Sequence, residues 1–320
     1  MAIKPKLFNI IFCVLLLYRF TALPLCFAET IHPNAGTTGA NFLKLIPSAR
    51  ALALGGAFTG LSDDVDALYF NPAGILQIKE KEVSISHSEL YQGLRHNFAG
   101  FVFNSGKNKF GISLTGFYTQ NDLERRTWEI ENNPYEPITE PEGYFNAYSV
   151  SVQASFAREI LEKVSGGIST KIIRETIDEI SAYSFAVDLG LLYPYKKNLI
   201  FGLSIKNIGT PIKFIRKEFI LPLEINIGAS YFFNKKVKIV ADIGQPIDDF
   251  LFIRSGIEYS PFEILYLRTG YNYRFYNDDL LSGLCVGFGT KFRSLYFNYA
   301  FLPYNVLGAS HHFSFSLKFY

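Results

Sequence analysis

From about residue 83 onward, hydrophobic and polar side chains alternate along the chain with a period of two. The stretch 312–319 reads HFSFSLKF, which places three phenylalanines and a leucine on one face and serines and a lysine on the other. Stretches 295–301 and 182–193 repeat the pattern. A period of two is typical of β-strands with one apolar face, so the pattern predicts a protein built mainly of strands.

About fourteen such segments follow one another, and connections of different length join them. The segments begin near Val83, His96, Phe110, Phe145, Val164, Ile180, Leu199, Pro222, Val237, Phe250, Glu263, Leu281, Ser294 and His311. Short turns follow the even-numbered segments, and longer connections such as 121–143 and 207–221 follow odd-numbered ones. An even number of strands with short turns at one end and long loops at the other is typical of bacterial outer-membrane barrels.

Composition supports a membrane barrel over a soluble β-sandwich, which also has alternating strands. Hydrophobic residues make up 48% of the chain and aromatic residues 16%. Beyond residue 28, however, no apolar run approaches the length of a membrane-spanning helix. A sandwich has a polar outer face and an apolar inner face. Here the polar face of the strands carries many small residues, and the apolar face ends on aromatic residues in most strands. We therefore predict an all-β transmembrane barrel of about 14 antiparallel strands over residues 83–320.

The first 28 residues have the pattern of a secretory signal peptide. Lys4 and Lys6 precede the apolar stretch 7–18, and cleavage after Ala28 fits the small residue there. Lipidation at Cys26 is an alternative, but Leu25 is larger than the residue expected before such a cysteine. Without this segment the chain is near neutral and has no basic tract, which argues against nucleic acid as a partner.

Cysteine usage excludes an internal disulfide in the mature chain. Two of the three cysteines lie within residues 1–28, and Cys285 is left alone.

Residues 29–82 differ from the barrel, because apolar residues at 42–53 have helical spacing and Gly55-Gly56 interrupts them. We predict that this segment lies either in the periplasm or inside the barrel lumen. Its glycine and alanine content favours close packing in the lumen. Side chains that face inward by register, among them Asp188, Arg254 and Arg268, are then the lumen charges.

Many short motifs, in order, resemble the PorV/PorQ family of outer-membrane proteins, which is related to the FadL long-chain fatty-acid transporters. They include GANFLKL at 39–45, GGAFT at 55–59, NPAG at 71–74, FAVDLG at 185–190 and YAFLPY at 299–304. The resemblance covers essentially the whole mature chain, and it implies a 14-stranded barrel with an N-terminal plug. One departure is that Phe319, rather than the terminal Tyr320, has the outward register of the aromatic residue that ends such chains.

The stretch DDVDALYFNPAG at 63–74 resembles the end of that plug. The family likeness implies that Asp63, Asp64, Asn71, Pro72 and Gly74 set the bend that obstructs or opens a path. A simple turn remains the alternative interpretation, because Asn, Pro and Gly also make ordinary turns. The loop 207–221 is unusually apolar and carries Phe214 and Phe219, so we expect it to cover a pocket for a greasy ligand.

No pattern in the chain indicates catalysis. The histidines match no zinc motif, no phosphate or dinucleotide loop is present, and we expect neither an enzyme nor a metal or other cofactor. His311 and His312 come near His87 and His96 at the outer rim if the first and last strands are neighbours, which would let these histidines converge, although rim histidines without a shared role are commoner. The resemblance to the FadL transporters implies passive uptake of hydrophobic molecules such as long-chain fatty acids, a role in which the apolar loop 207–221 and the plug would have a direct use.

Two other functions stay open. The first is a PorV-like component of type IX secretion, which would bind secreted protein cargo at the cell surface through outer loops such as 121–143. The second is a structural or adhesive surface antigen. The expected partners are therefore outer-membrane lipid, a hydrophobic small molecule and, in the secretion alternative, cargo.

Overall fold

The computed structural model describes residues 31–79, 81–126, 140–274, 283–304 and 308–319. The predicted signal peptide, most of the loop 121–143 including Trp128, and Tyr320 lie outside the described residues. None of the described helices is long and apolar enough to cross a bilayer.

Fourteen strands of the described chain close into one antiparallel barrel. They are β1 (Lys81–Glu89), β2 (Leu94–Ser105), β3 (Asn108–Thr119), β6 (Ala147–Leu161), β7 (Val164–Ile177), β8 (Ile180–Lys196), β9 (Leu199–Gly209), β12 (Glu224–Phe232), β13 (Val237–Pro246), β14 (Phe252–Phe262), β15 (Leu265–Arg274), β16 (Leu284–Phe292), β17 (Leu295–Pro303) and β18 (Ala309–Phe319). The barrel closes where β1 pairs with β18, with Val83 opposite Leu317. The predicted barrel of about fourteen antiparallel strands is confirmed.

The ends of the barrel differ in their connections. At one end, called the turn end, turns of two to four residues join β2 to β3, β6 to β7, β8 to β9, β12 to β13, β14 to β15, and β16 to β17. The other end, called the loop end, has the longer connections, although a two-residue turn joins β7 to β8. Two hairpins lie within its loops: β4 (Leu123–Arg125) with β5 (Gly143–Phe145), and β10 (Ile212–Phe214) with β11 (Lys217–Phe219). The hairpin at 143–145 explains why the strand predicted from Phe145 begins only at Ala147.

The outer wall is apolar and exposed. On β8, Tyr183 and Phe185 are each 61% exposed, whereas the alternating Ser184 and Asp188 are 3% and 0% exposed. The same division runs round the barrel, so a continuous apolar surface faces outward and polar side chains face inward. Such a surface is stable against acyl chains and not against water, and we conclude that the barrel spans a membrane.

Residues 32–79, called the lumenal segment, pack against the inward face of the wall. They form helices α1 (Ala49–Ala53) and α2 (Ala67–Phe70) and 3-10 turns at Asn41–Lys44 and Pro72–Gln77. Ser48 begins α1, because its hydroxyl accepts a hydrogen bond from the Ala51 amide at 3.1 Å. The amide of Ala49 donates to the Ser314 hydroxyl at 2.9 Å, which fixes α1 to β18.

Inward-facing glycines allow the lumenal segment to lie directly on the wall. A Cβ built on Gly270 would lie 2.0 Å from the Gly55 nitrogen, and one on Gly256 would lie 2.6 Å from the Leu54 carbonyl oxygen. Seven further inward glycines make similar approaches: Gly100, Gly111, Gly167, Gly190, Gly202, Gly228 and Gly287. Any larger residue at these positions would displace the segment, so the glycines determine how closely the lumen is filled.

Candidate functional site

A cavity of about 290 Å³ opens between the lumenal segment and the wall at the loop end, and we call it the loop-end cavity. Its lining is Lys44, Leu45, Ile46, Leu52, Gly55, Leu90, His96, Arg254, Asn272, Arg274, Cys285, Leu302, Tyr304 and His312. Five aliphatic side chains and Tyr304 thus share the lining with six polar or charged side chains, among them the cations Lys44, Arg254 and Arg274. Such a mixed lining is suited to a molecule that has both an apolar part and a polar or anionic group.

Three polar residues of the cavity wall are buried with atoms that have no hydrogen-bond partner. Neither ring nitrogen of His96 is bonded, and the same holds for Nε of Arg254 and Oδ1 of Asn272. Arg254 and Asn272 are directly opposite each other on β14 and β15. A buried polar atom without a partner costs free energy, so these groups are suited to meet a polar ligand atom.

Barrel closure brings two histidines to this cavity. Ser88 on β1 is opposite His96 on β2 and opposite His312 on β18. His312 bonds Ser88 and Ser310 through its two ring nitrogens, at 2.7 and 2.8 Å. Their neighbours His87 and His311 face outward instead, where His87 bonds Asn97 and His311 bonds Tyr299. The predicted convergence therefore involves His96 and His312, and both lie in the cavity wall.

On the other side of α1, an ion-pair cluster lines a smaller pocket of about 150 Å³ near the turn end. The Arg50 guanidinium donates to Asp63 at 2.6 Å, to Asp64, and to Glu258 at 3.3 Å. Glu258 also pairs with Arg268 at 2.7 Å and with Lys238 at 2.8 Å. Arg50 thus links α1 both to residues 63–64 of the lumenal segment and to β14 of the wall.

The cluster keeps Asp63 charged and disfavours charge on its neighbour Asp66. Burial acts against ionisation of Asp63, but Arg50 and Lys238 together lower the pKa of Asp63 to about 2. Burial, together with the Asp64 carboxylate, raises the pKa of Asp66 to about 7, against the opposing hydrogen bond from the Ser48 hydroxyl. The two carboxyl groups, three residues apart, therefore differ in protonation between about pH 2 and about pH 7.

Helix α1 separates the two cavities. Leu52 lines the loop-end cavity and Arg50 lines the turn-end pocket, although they are two residues apart. Ala49, Ala51 and Ala53 are fully buried. A molecule passing from one cavity to the other along β14–β18 must therefore displace this single helical turn.

The NPAG stretch at 71–74 bends the lumenal segment where it lies against the inward face of β7 and β8. The Asn71 amide nitrogen donates to the carbonyl oxygens of Thr59 and Leu191, both at 3.0 Å, and its Oδ1 accepts from the Ala73 amide at 3.2 Å. Pro72 begins the 3-10 turn Pro72–Gln77. A Cβ on Gly74 would lie 2.3 Å from the Ser62 Cβ, so close contact accounts for this glycine.

The predicted lumen charges all face inward, but they belong to separate groups. Asp188 pairs with Lys171 at 2.6 Å and accepts a hydrogen bond from the Asn207 amide at 2.7 Å. Arg268 belongs to the turn-end cluster, and Arg254 lines the loop-end cavity with its guanidinium 3.8 Å from the centre of the Phe252 ring.

The apolar loop 207–221 does not border the loop-end cavity. Its hairpin of β10 and β11 packs on Gly39, whose amide donates to the Ile220 carbonyl at 2.9 Å. Phe214 and Phe219 are half-buried in this hairpin, and neither lines the loop-end cavity. The cavity lies instead beside β14–β18, because the lumenal segment occupies the space beneath the hairpin.

Sequence reasoning missed Arg50, Glu258 and Asn272. A signal was present for the last two, since alternation gives both the inward register: Glu258 lies between outward Ile257 and Tyr259, and Asn272 lies between Tyr271 and Tyr273. Among the described residues, no group of three histidine, cysteine or acidic side chains could hold a metal ion.

The fold and its filled lumen define a barrel similar to FadL-like outer-membrane transporters. The toluene transporter TbuX of Ralstonia pickettii is similar with a TM-score of 0.63 at 12% identity, over 84% of this chain and 97% of TbuX. The monoaromatic hydrocarbon channel CymD gives 0.62 at 12% identity, over 86% and 98%. A Pseudomonas aeruginosa FadL homologue gives 0.56 at 12% identity, over 92% and 100%. At this identity the likeness shows the fold.

The chain belongs to the uncharacterised protein family UPF0164, whose pattern matches residues 33–264. No curated protein sequence matches the chain.

Proposed function

We propose that this protein is an outer-membrane channel for passive uptake of hydrophobic or amphipathic small molecules, such as long-chain fatty acids. The loop end faces the cell exterior in this proposal, and export removes residues 1–28. The loop-end cavity carries the proposal, because it combines aliphatic walls with the unpaired polar groups of His96, Arg254 and Asn272. The similar barrels described as toluene and monoaromatic hydrocarbon channels support it.

In this proposal the substrate first occupies the loop-end cavity and then passes α1. A polar head group on the substrate would satisfy Arg254 and Asn272, and its apolar part would contact Leu52 and Leu302. Movement past α1 requires the Arg50 ion pairs to rearrange, because they hold the helix against β14. Uptake is then driven by the concentration gradient alone.

Accumulation of labelled oleate in proteoliposomes tests the proposal. We expect wild-type protein to raise accumulation above that of protein-free vesicles, and Arg254→Gln to weaken oleate binding by about tenfold. Toluene binding should be affected much less by Arg254→Gln, because toluene has no carboxylate to pair with the guanidinium. Arg95→Gln is the matched control, since Arg95 is also a loop-end cation but pairs with Glu89 outside the cavity.

Accumulation no greater than in protein-free vesicles would contradict the proposed uptake. Equal weakening by Arg254→Gln and Arg95→Gln would contradict the assignment of the cavity. We do not propose binding of secreted cargo, since nothing in the described part of the outer loops favours it.

A further inference from the structure

A third cavity, of about 430 Å³, lies on the outer face of the wall across β6–β9, and we call it the lipid-facing groove. Outward side chains form its sides, including Ile168, Leu189 and Leu191, which are 42%, 41% and 39% exposed. Gly166 lies at its floor and has no side chain to fill it. The groove is therefore a depression in the surface that we assign to contact with acyl chains.

One cation lines this otherwise apolar groove. Arg158 has outward register on β6, between the outward Phe156 and Ile160, and is directly opposite Gly166 on β7. The guanidinium is exposed and has no hydrogen bond or ion pair among the described residues. An arginine on the lipid face of a barrel is costly at the membrane centre and is tolerated nearer the interface when an anion accompanies it.

Another outward cation, Arg174 on β7, has its partners within the protein. Its guanidinium lies over the rings of Tyr148 and Tyr183, at 5.7 and 5.6 Å, and donates to the Ser181 hydroxyl at 3.1 Å. Arg174 lies near the loop end, whereas Arg158 lies four residues before the turn at 162–163. Arg174 thus has partners within the described chain, whereas the Arg158 guanidinium is free there to pair with an anion from outside the protein.

We propose that the lipid-facing groove binds one phospholipid of the leaflet at the turn end. Its phosphate pairs with the Arg158 guanidinium, and one acyl chain lies across Gly166 toward Leu189 and Leu203. Guanidinium groups bind phosphate through two parallel hydrogen bonds, and such charge-assisted bonds are among the strong ones. The phospholipid supplies both an anion for the cation and an acyl chain for the depression. This site is independent of the uptake proposed above.

Native mass spectrometry of the purified barrel in detergent, titrated with dioleoylphosphatidylglycerol, tests the site. We expect wild-type protein to retain one lipid molecule, and Arg158→Gln to weaken its binding by about tenfold. Gly166→Val should also weaken binding because it fills the groove. The three atoms nearest a Cβ at Gly166 all belong to the exposed Ile160 side chain, the closest at 3.0 Å, and none belongs to the backbone, so folding should survive.

Matched controls make the result specific. Arg174→Gln removes an outward cation elsewhere, and Ala154→Val also introduces a valine, at an exposed outward position of β6 outside the groove. Both should bind lipid as the wild type does. Heat-modifiable electrophoresis checks that each variant is a folded barrel.

Dioleoylglycerol, which has the same chains and no phosphate, separates the two contributions. It should bind wild type and Arg158→Gln equally, because the guanidinium has no phosphate to pair with. Equal retention of the phospholipid by wild type and Arg158→Gln would overturn the proposal, and so would equal losses in Arg158→Gln and Arg174→Gln. In either case Arg158 would merely reach the general headgroup layer.

Discussion

Gly190 of the barrel wall lies against the side chain of Asn71, so that a Cβ built on Gly190 would be 2.1 Å from Asn71 Oδ1. Gly190 is paired with Gly167, where a Cβ would be 2.3 Å from the Ala73 nitrogen. Two adjacent strands therefore leave room for one bend of the lumenal segment. The bend at 71–73 thus requires glycine at positions 167 and 190 of the wall.

We expect Gly190→Ala to destabilise the protein by about 2 kcal/mol, because the new methyl group must displace Asn71 or the strand. Urea unfolding in lipid vesicles measures this free energy. Gly116→Ala is the control, since a Cβ at Gly116 meets no atom within 4 Å. If both substitutions have the same small effect, the lumenal segment does not lie against the wall at Asn71.

Asn71→Ala tests whether NPAG is more than a turn. A turn cap alone is worth about 1 kcal/mol, whereas loss of the bonds to Thr59, Leu191 and Ala73 should cost about 3 kcal/mol. Asn97→Ala is the comparison, because Asn97 bonds His87 and Tyr118 through side chains outside the lumen. A loss of only about 1 kcal/mol for Asn71→Ala, measured in the same unfolding assay, would support the simple turn.

The strands could be predicted from the sequence because alternation along a strand is a local property. Predicted starts at Val164, Ile180, Leu199 and Val237 agree with the structure. The inward register of Gly190, between Leu189 and Leu191, was also readable. What Gly190 contacts was not readable, since Asn71 lies more than a hundred positions away.

The candidate site was less predictable for the same reason. The loop-end cavity depends on Leu52 and Gly55 meeting side chains of β14–β18, and no local pattern specifies that pairing. The apolar hairpin of β10 and β11 packs on Gly39 and does not border the loop-end cavity, and its predicted role over a pocket stays a prediction. Apolar side chains in a loop predict that the loop packs against another part of the protein, but they do not identify that part.

Arg50→Gln should loosen α1. It leaves Asp63, Asp64 and Glu258 without this cation, and loss of one partner from a buried ion pair costs about 3 kcal/mol. We therefore expect lower resistance to urea and a larger ion conductance in planar bilayers, because α1 separates the two cavities. Arg95→Gln, at the pair with Glu89 nearer the surface, should change neither quantity. Unchanged conductance in Arg50→Gln would show that the ion pairs do not hold the partition closed.

Asp66 should make the stability of the lumenal segment fall as the pH rises. Burial and the Asp64 carboxylate raise its pKa to about 7, above the unfolded value near 3.8, so the folded state binds more protons between these values. The contribution of Asp66 is therefore most favourable below about pH 4 and is lost as the pH rises through about 7. Other groups titrate too, including Asp63 in the opposite direction, so the comparison is with Asp66→Asn.

In Asp66→Asn this part of the pH dependence should vanish. The variant should be less sensitive to pH between 5 and 8 than the wild type, and it should become relatively more stable at pH 8. Urea midpoints in lipid vesicles across this range measure the difference. Ser48 and Ser84 face Asp66 and can bond an amide as well as a carboxylic acid, so the substitution preserves the packing. Parallel curves for the two proteins would mean that Asp66 ionises normally when folded.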